Sequence, residues 1–305
     1  MAIYPIKLII GLNILGNFRL VNKAIVVNSL HTNLTVGRPK LSDIAVCRVS
    51  VASLRRYPAH NAVLISQILF GEYVSILSKK KDWYRVQCKW DSVVGWIDAK
   101  QFYVVKESEQ KKIVYDKAFA LEHFHSLSSD KITFPISLGS DLGQCDGLNV
   151  KLPFSTFRYS GQIVQVGHGM EIHKLLSTIV RRFIHCPHLE GGRSIMGVDG
   201  AGLIQIAYKM IGHNLPRSVQ DQSQQGFDIG FANHSQVGDL AFFHNGDQVI
   251  HHAGMILNDN QVIHVHGQVR IDHLDHQGIY DKQSKKYIFL LKTIRRIIKS
   301  EKTAD

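Results

Sequence analysis

Residues 171–297 constrain the fold most, because two apolar helices are predicted there ahead of a run of strands. The segment EIHKLLSTIVRRFIH repeats apolar residues at helical spacing, and Pro187 ends this helix. The next predicted helix, AGLIQIAYKMIG, is apolar nearly all round and is expected to be buried, with Asp199 as its N-cap and Gly212 at its end. The segments VGDLAFF, QVIHHAGMIL, QVIHVHG and YIFLLKTI predict strands. Helices followed by strands predict an α+β domain with an antiparallel sheet.

Residues 44–105 carry the pattern of short strands separated by turns. AVCRVSVASLRR alternates as a half-buried strand does, Pro58 and Asn61 mark a turn, and FGE and KKKD contain two more turn signals. About five short strands in a segment of this length favour a small barrel. The order of a strand, FGE, a strand, DWYRV and GWI resembles a bacterial SH3-like domain. We expect Trp83, Tyr84 and Trp96 to lie in the barrel core, since aromatic side chains dominate cores by buried area.

The segments on either side of this domain are less regular. Residues 106–170 begin with the charged run KESEQKK, which predicts a linker, and continue with apolar pairs broken by Gly and Pro, which predict irregular β structure. This stretch resembles a second SH3-like module. Residues 1–40 form a leader segment, and the sequence leaves open whether it is a secretory signal. The apolar run LIIGLNIL is typical of a secretory signal, but Asn13 interrupts it and no A-x-A cleavage site follows.

The excess of Lys and Arg over Asp and Glu, 36 against 25, gives a formal net charge of +11. A basic surface favours polyanions such as nucleic acid, anionic lipid or the acidic polymers of a bacterial wall. The basic runs are short and separated, so nucleic-acid binding is not expected. The sequence contains no run of 18 apolar residues, so no membrane-spanning helix is predicted. The four cysteines form no CxxC pair, so neither a disulfide scaffold nor a four-cysteine zinc site is predicted.

Five segments of the C-terminal domain together indicate a family. GGRS…GVDGAGLIQ, LPRSVQDQSQQG, VGDLAFF, HHAGMIL and VIHVH follow one another in the order found in the NlpC-type cell-wall cysteine peptidases, which this domain closely resembles. The resemblance implies a papain-like fold, preceded by one or two small SH3-like β-barrels. The activity that it implies is hydrolysis of the γ-D-glutamyl–diamino-acid bond in peptidoglycan stem peptides.

The resemblance also shows that the nucleophile is missing. This chemistry needs a thiolate at the N-terminus of the second helix, where the helix dipole lowers the thiol pKa, and a His on a facing strand as the base. The family pattern D-C-S-G is matched here by DGAG, which puts Gly200 in the nucleophile position. His252 matches the base position and His264 the orienting position. Because glycine has no side chain that can attack, we predict a catalytically inactive member that binds cell-wall peptides.

The residues around this position depart from the family pattern in other ways. The family's Y-x-W-G-G is matched by HLEGG, so His188 stands for the Tyr and Glu190 for the Trp, and Ala201 replaces the usual Ser. The predicted substrate-binding residues are His188, Glu190, Gly191, Gly192, Arg193, Asp199 and Ala201.

Two alternatives would preserve hydrolysis. Cys186 could replace the missing nucleophile, or a metal ion held by His252, His264 and His188 could activate a water molecule. No compact zinc signature such as H-E-x-x-H is present, so we predict neither a metal nor another cofactor. The expected partners are peptidoglycan stem peptides or their fragments, with no nucleic acid, no integral membrane segment and a monomeric chain. The localisation stays open between the bacterial cytoplasm and the cell envelope.

Overall fold

The computed structural model describes residues 43–110, 113, 118–167, 171–230, 234–258 and 260–298. The predicted leader, residues 1–40, lies outside the described residues. Among the helices of the described ranges, none has both the length and the apolar character needed to cross a membrane.

The N-terminal domain is built from seven antiparallel strands, more than the five or so expected. They are β1 Ile44–Cys47, β2 Val51–Arg55, β3 Leu64–Leu69, β4 Tyr73–Lys80, β5 Trp83–Cys88, β6 Val94–Asp98 and β7 Phe102–Val104. Their order in the sheet is β3-β2-β6-β5-β4-β1-β7. A 3₁₀ helix, Ala99–Gln101, precedes β7, and the short helix α1, Glu107–Gln110, follows it. Leu54, Ile68, Val86 and Ile97 are fully buried in the core that this sheet encloses.

Two of the three aromatic residues predicted for that core lie outside it. Tyr84 packs against the core, but Trp83 and Trp96 do not. Because alternate residues of a strand face opposite sides of a sheet, Trp83 shares its face of β5 with the exposed Arg85. Trp96 on β6 pairs in register with Arg85, so it lies on the same outer face. The core prediction was therefore wrong for both indoles.

The middle segment forms a second β-module. Its strands are β8 Ala118–Ala120, β9 Phe124–Ser128, β10 Thr133–Ser137, β11 Gln144–Cys145, β12 Asn149–Leu152, β13 Ser155–Tyr159 and β14 Ile163–Gln165. Five of them pair in the order β10-β9-β13-β12-β11, and β14 pairs with β8. Phe70 of the first domain makes edge-to-face contacts with Phe134, Phe154 and Phe157 of this module. The two β-modules therefore share a continuous apolar contact.

The C-terminal domain places its helices before its main sheet, as predicted. The helices are α2 Ile172–Arg181, α3 Gly200–Met210 and α4 Val219–Gln222, and the short strands β15 Arg193–Ser194 and β16 Gly197–Val198 form a hairpin before α3. Helix α2 ends at Arg181, before Pro187, because the next residues change to i→i−3 turn bonds such as Phe183 N–H to Val180 O. The chain then turns away at His185, which has a positive φ of 66°. The predicted burial of α3 is confirmed, since every residue from Ala201 to Met210 is buried.

The sheet of this domain is antiparallel throughout. Its strands are β17 Phe227–Asp228, β18 Leu240–His244, β19 Ile250–Asn258, β20 Gln261–His266, β21 Gln268–Leu274, β22 Gly278–Asp281 and β23 Lys286–Arg296. The order is β17-β23-β18-β19-β20-β21-β22, and β22 also pairs with β23. Helix α3 packs against β19 and β20. This packing sets the N-terminus of α3 against the strands that carry the histidines.

A buried charge cluster joins the first domain to the third. The carboxylate of Glu72, between β3 and β4, accepts hydrogen bonds from Nη1 and Nη2 of Arg193 at 3.2 and 3.0 Å and from Nζ of Lys209. The guanidinium of Arg193 also lies 4.1 Å from the ring centre of Trp90. Lys209 Nζ additionally donates to Gly139 O of the middle module at 3.0 Å. These contacts join the first two modules to β15 and to the last turn of α3 in the C-terminal domain.

Candidate functional site

Asp199 organises the N-terminal end of α3. Its Oδ1 accepts the N–H of Gly202 at 2.7 Å, which is the N-cap bond expected from the sequence. Its Oδ2 accepts the N–H of Gly191 at 2.8 Å, and both oxygens pair with the guanidinium of Arg217 at 2.9 and 2.5 Å. One side chain therefore holds the helix, the double-glycine loop and the segment that leads to α4.

Gly200, the first residue of α3, faces the strand that carries His252. A Cβ atom added to Gly200 would lie 3.2 Å from the carbonyl oxygen of Ala253, the residue after His252 in β19. The backbone of Gly200 is not in the left-handed region, so any L-residue can adopt it. The position could therefore carry a side chain with only a small adjustment, and it carries none.

His252, His264 and Asp272 form a hydrogen-bonded chain behind this position. Nε2 of His252 lies 2.8 Å from Nδ1 of His264, and Nε2 of His264 lies 2.9 Å from Oδ2 of Asp272. Arg270 donates from Nη2 to Oδ1 of Asp272 at 2.8 Å and to Oδ1 of Asp281 at 2.9 Å. The chain thus runs across β19, β20, β21 and β22, and ends at a carboxylate on β22.

Both histidines are held uncharged near neutral pH. Burial, with a smaller contribution from His264, puts the pKa of His252 well below its usual range. Burial also lowers the pKa of His264, although the hydrogen bond that His264 donates to Asp272 opposes that shift. The ring of His252 is stacked on Phe289, with centroids 3.9 Å apart and planes within 6°. This stacking contributes to the burial of the imidazole.

A cleft of about 310 Å³ opens in front of Gly200 and His252. The predicted site residues that line it are His188, Glu190, Asp199, Gly200, Ala201 and His252. A second cleft of about 610 Å³ adjoins it at the boundary with the N-terminal domain, where Gly191 lies opposite Leu64 and Asp91. The structure therefore brings the nucleophile position, the base position and most of the predicted binding residues together.

The remaining predicted residues lie away from the cleft. His264 is fully buried behind His252, as an orienting residue would be. Gly192 is buried in tight contact with the carbonyl oxygen of Gly197. Arg193, predicted to bind substrate, has no exposed side-chain surface and is instead the partner of Glu72. In this structure Arg193 contacts the N-terminal domain and not the cleft.

The two alternatives for hydrolysis meet physical obstacles. Cys186 is a buried free thiol in the apolar core of the domain, and burial raises its pKa to about 11, so almost none of it is thiolate at neutral pH. Both ring nitrogens of His264 are engaged, by His252 and by Asp272. In the ranges that the structure describes, no group of three or more His, Cys, Asp or Glu side chains is placed to hold a metal ion.

Sequence reasoning missed Asp272, Arg270 and Phe289. The sequence signal for the first two was Gly267, a glycine between two alternating strands, which is typical of a hairpin turn. In the structure this glycine has a positive φ of 70°. In that hairpin His264 pairs with Arg270 and Val262 with Asp272, which puts all three polar residues on one face. Phe289 carried no comparable signal, since it reaches His252 from β23, more than thirty residues away.

Comparisons with known proteins agree with this arrangement. The NlpC/P60 family model matches residues 186–287, and the model of the bacterial dipeptidyl-peptidase SH3 domain matches residues 54–102. A gamma-D-glutamyl-L-lysine dipeptidyl-peptidase of Bacillus cereus is 27% identical, over 66% of this chain and 67% of that protein. The enzyme of the same name from Bacillus subtilis is 32% identical, over 27% of this chain and 28% of that protein.

A solved structure extends the agreement to the fold. The structure of an NlpC/P60 family protein from Bacillus cereus superposes with a TM-score of 0.69, at 23% identity, over 83% of this chain and 99% of that one. The superposition therefore includes the β-modules as well as the C-terminal domain. Residues 186–287 form an NlpC/P60 domain, and the chain carries a bacterial SH3 domain ahead of it.

Proposed function

We propose that this protein binds γ-D-glutamyl peptides of cell-wall origin and does not cleave them. The observation that carries the proposal is Gly200, which stands at the first position of α3 and faces the strand of His252 without a side chain. The ligand class is supported by the Bacillus relatives, which are gamma-D-glutamyl-L-lysine dipeptidyl-peptidases. A cleft that could hold the peptide lies in front of Gly200, whereas an attacking atom is missing there.

The absence of that atom supports binding without catalysis. Removing the nucleophile from a triad that acts by covalent catalysis lowers kcat by about 10⁶-fold in the best-studied case. His252 keeps a hydrogen-bonded partner in His264, but residue 200 offers it neither a thiol nor a hydroxyl to deprotonate. Cys186 does not fill the gap, because it lies in the apolar core and does not line the cleft.

The dimensions of the site fit a short peptide. The cleft at Gly200 and the cleft at the domain boundary share Glu190, Asp199, Arg217 and Ser218 in their walls, so they adjoin. Together they offer carboxylates, a guanidinium and imidazoles to a zwitterionic ligand. Pockets of a few hundred cubic ångströms with a few polar groups are typical of small-ligand sites.

The direct test uses the full chain and the peptide L-Ala-γ-D-Glu-L-Lys. Calorimetry is expected to show saturable binding, and mass spectrometry of the same mixture is expected to show intact peptide. Cleavage at a rate typical of NlpC/P60 peptidases would contradict the proposal. If cleavage occurs, its loss on chelation would identify a metal-bound water, and its loss in Cys186→Ala would identify that thiol as the nucleophile.

Restoring the sulfur provides a sharper comparison. Gly200→Cys and Gly200→Ala add the same Cβ, 3.2 Å from the oxygen of Ala253, and differ only in the thiol. We expect Gly200→Cys to gain hydrolysis that iodoacetamide abolishes, while Gly200→Ala stays inert. If Gly200→Cys binds the peptide and stays inert, His188 and Glu190, which replace the family's aromatic pair, are the residues to exchange next.

A further inference from the structure

The hydrogen-bond chain behind the cleft has a direction, and Asp272 sets it. An ionised carboxylate can only accept hydrogen bonds. Burial alone would raise the pKa of Asp272, but hydrogen bonds from His264 and Arg270 outweigh it and lower that pKa below its usual value. Nη2 of Arg270 donates to Oδ1 at 2.8 Å, and Asp281 holds Arg270 from the other side. Asp272 is therefore ionised and fixed in place.

Each proton position then follows from the one before it. Nε2 of His264 lies 2.9 Å from the carboxylate and must carry a proton to donate. Since His264 is uncharged, its Nδ1 is a lone-pair acceptor. Nε2 of His252 lies 2.8 Å from that lone pair and must in turn carry a proton. The second nitrogen of the uncharged His252 ring, Nδ1, is left as an acceptor on a side chain that lines the cleft.

We propose that Asp272, aligned by Arg270, is the positioning residue that fixes both histidine tautomers, so that the cleft presents a lone pair at Nδ1 of His252 and selects ligands with an N–H donor beside Gly200. The inference rests on the proposed function for the ligand, and the histidine tautomers can be tested without any ligand. In an active relative such a nitrogen would face a thiol. Beside Gly200 it can instead accept a hydrogen bond from the ligand's own amide.

Nuclear magnetic resonance of ¹⁵N-histidine protein measures the tautomers directly. In the full chain at pH 7 we expect Nε2 of both histidines to carry the proton and Nδ1 of both to be unprotonated. Arg270 reaches both oxygens of Asp272, with Nη2 2.8 Å from Oδ1 and Nε 2.7 Å from Oδ2, so in Asp272→Asn the amide N–H meets an N–H of Arg270 whichever way the amide turns. The acceptor that fixes His264 is then disturbed, and we expect the proton of His252 to shift toward Nδ1. Asp275→Asn is the matched control, because Asp275 bonds Tyr287 and not a histidine.

Ligand binding gives an independent measurement. N-methylation of the amide of γ-D-glutamyl-L-lysine replaces the N–H donor by a methyl group, and we expect the wild type to bind the methylated peptide about tenfold more weakly. Asp272→Asn should lose most of that preference, and Asp275→Asn should keep it. A proton on Nδ1 of His252 in the wild type, or unchanged tautomers in Asp272→Asn, would overturn the inference. If neither peptide binds while the tautomers are as expected, the result would instead count against the proposed function.

Discussion

At the scale of single residues, the stacked ring of Phe289 covers one face of His252 and contributes to its burial. Burial is the main cause of the lowered pKa of His252, and Phe289 covers one face of the imidazole at 3.9 Å. Phe289→Ala should admit water to that face and raise the pKa of His252 toward its usual value, since the charged form is then better solvated. A histidine titration by nuclear magnetic resonance measures this shift. Phe227→Ala is the control, because Phe227 lies in β17 and pairs with Arg296 at the other end of β23. An unchanged pKa of His252 in Phe289→Ala would be contrary to expectation.

The four cysteines should differ in reactivity by their burial. Burial raises the pKa of Cys186 to about 11 and also raises those of Cys47 and Cys88 well above the usual value, whereas Cys145 is only partly buried. Thiolate fraction and access both govern alkylation. We expect iodoacetamide at pH 8 to modify Cys145 first, as read by mass spectrometry of the native chain. Early modification of Cys186 would revive it as a candidate nucleophile.

At the scale of elements, Asp199 holds more than the helix that it caps. Asp199→Ala removes the cap of α3, the bond to Gly191 and the partner of Arg217. Loss of an N-cap alone costs about 1–2 kcal/mol in free energy of unfolding. Ser218→Ala removes the cap of the four-residue helix α4 and should cost less. Urea unfolding compares the two, and an equal or smaller loss in Asp199→Ala would contradict this account.

A helix or strand with one clear residue pattern could be predicted from the sequence. A strand that mixes apolar and charged residues could not. Helix α3 was predictable because it is apolar on every side and preceded by an aspartate. Strand β21, with the sequence QVRIDHL, was missed because Arg270 and Asp272 resemble the solvated face of a strand. Instead, Asp272 accepts a hydrogen bond from His264 and Arg270 donates one to Asp281. Only the pairing of the strands brings these residues together.

At the scale of the whole molecule, the Glu72 cluster ties stability to pH. Burial would raise the pKa of Glu72, but Arg193 and Lys209 lower it to about 2 from 4.5. A carboxylate whose pKa is lower in the folded state stabilises that state above its unfolded pKa and loses the contribution as pH falls. Stability should therefore fall between about pH 4.5 and pH 2, and Glu72→Gln should flatten that part of the profile.

The same substitution should also destabilise the protein at neutral pH. Removing one partner of a buried ion pair leaves charge uncompensated and costs about 3–5 kcal/mol. Denaturant unfolding at pH 7 is the measurement, with Glu190→Gln as a control because Glu190 is an exposed carboxyl. A loss no larger in Glu72→Gln than in Glu190→Gln would show that the cluster does not stabilise the fold.

Long-range pairing is the part of the site that sequence reasoning could not supply. Gly200, His252 and His264 were located from local motifs, and the structure brings them together. Arg193 lies in an equally clear motif, yet it pairs with Glu72, 121 positions away. Neither segment indicates the ion pair between Glu72 and Arg193. FGE alone predicts a turn, and GGRS alone was interpreted as part of the binding site.

The division of the Glu72 cluster between domains has a consequence for anyone who shortens this protein. A chain that begins near α2 would keep Arg193 and Lys209 but lose the carboxylate that neutralises both. We therefore expect the segment that sequence matching delimits to be less stable when it is expressed alone, and apolar replacements at both cations to restore part of that stability.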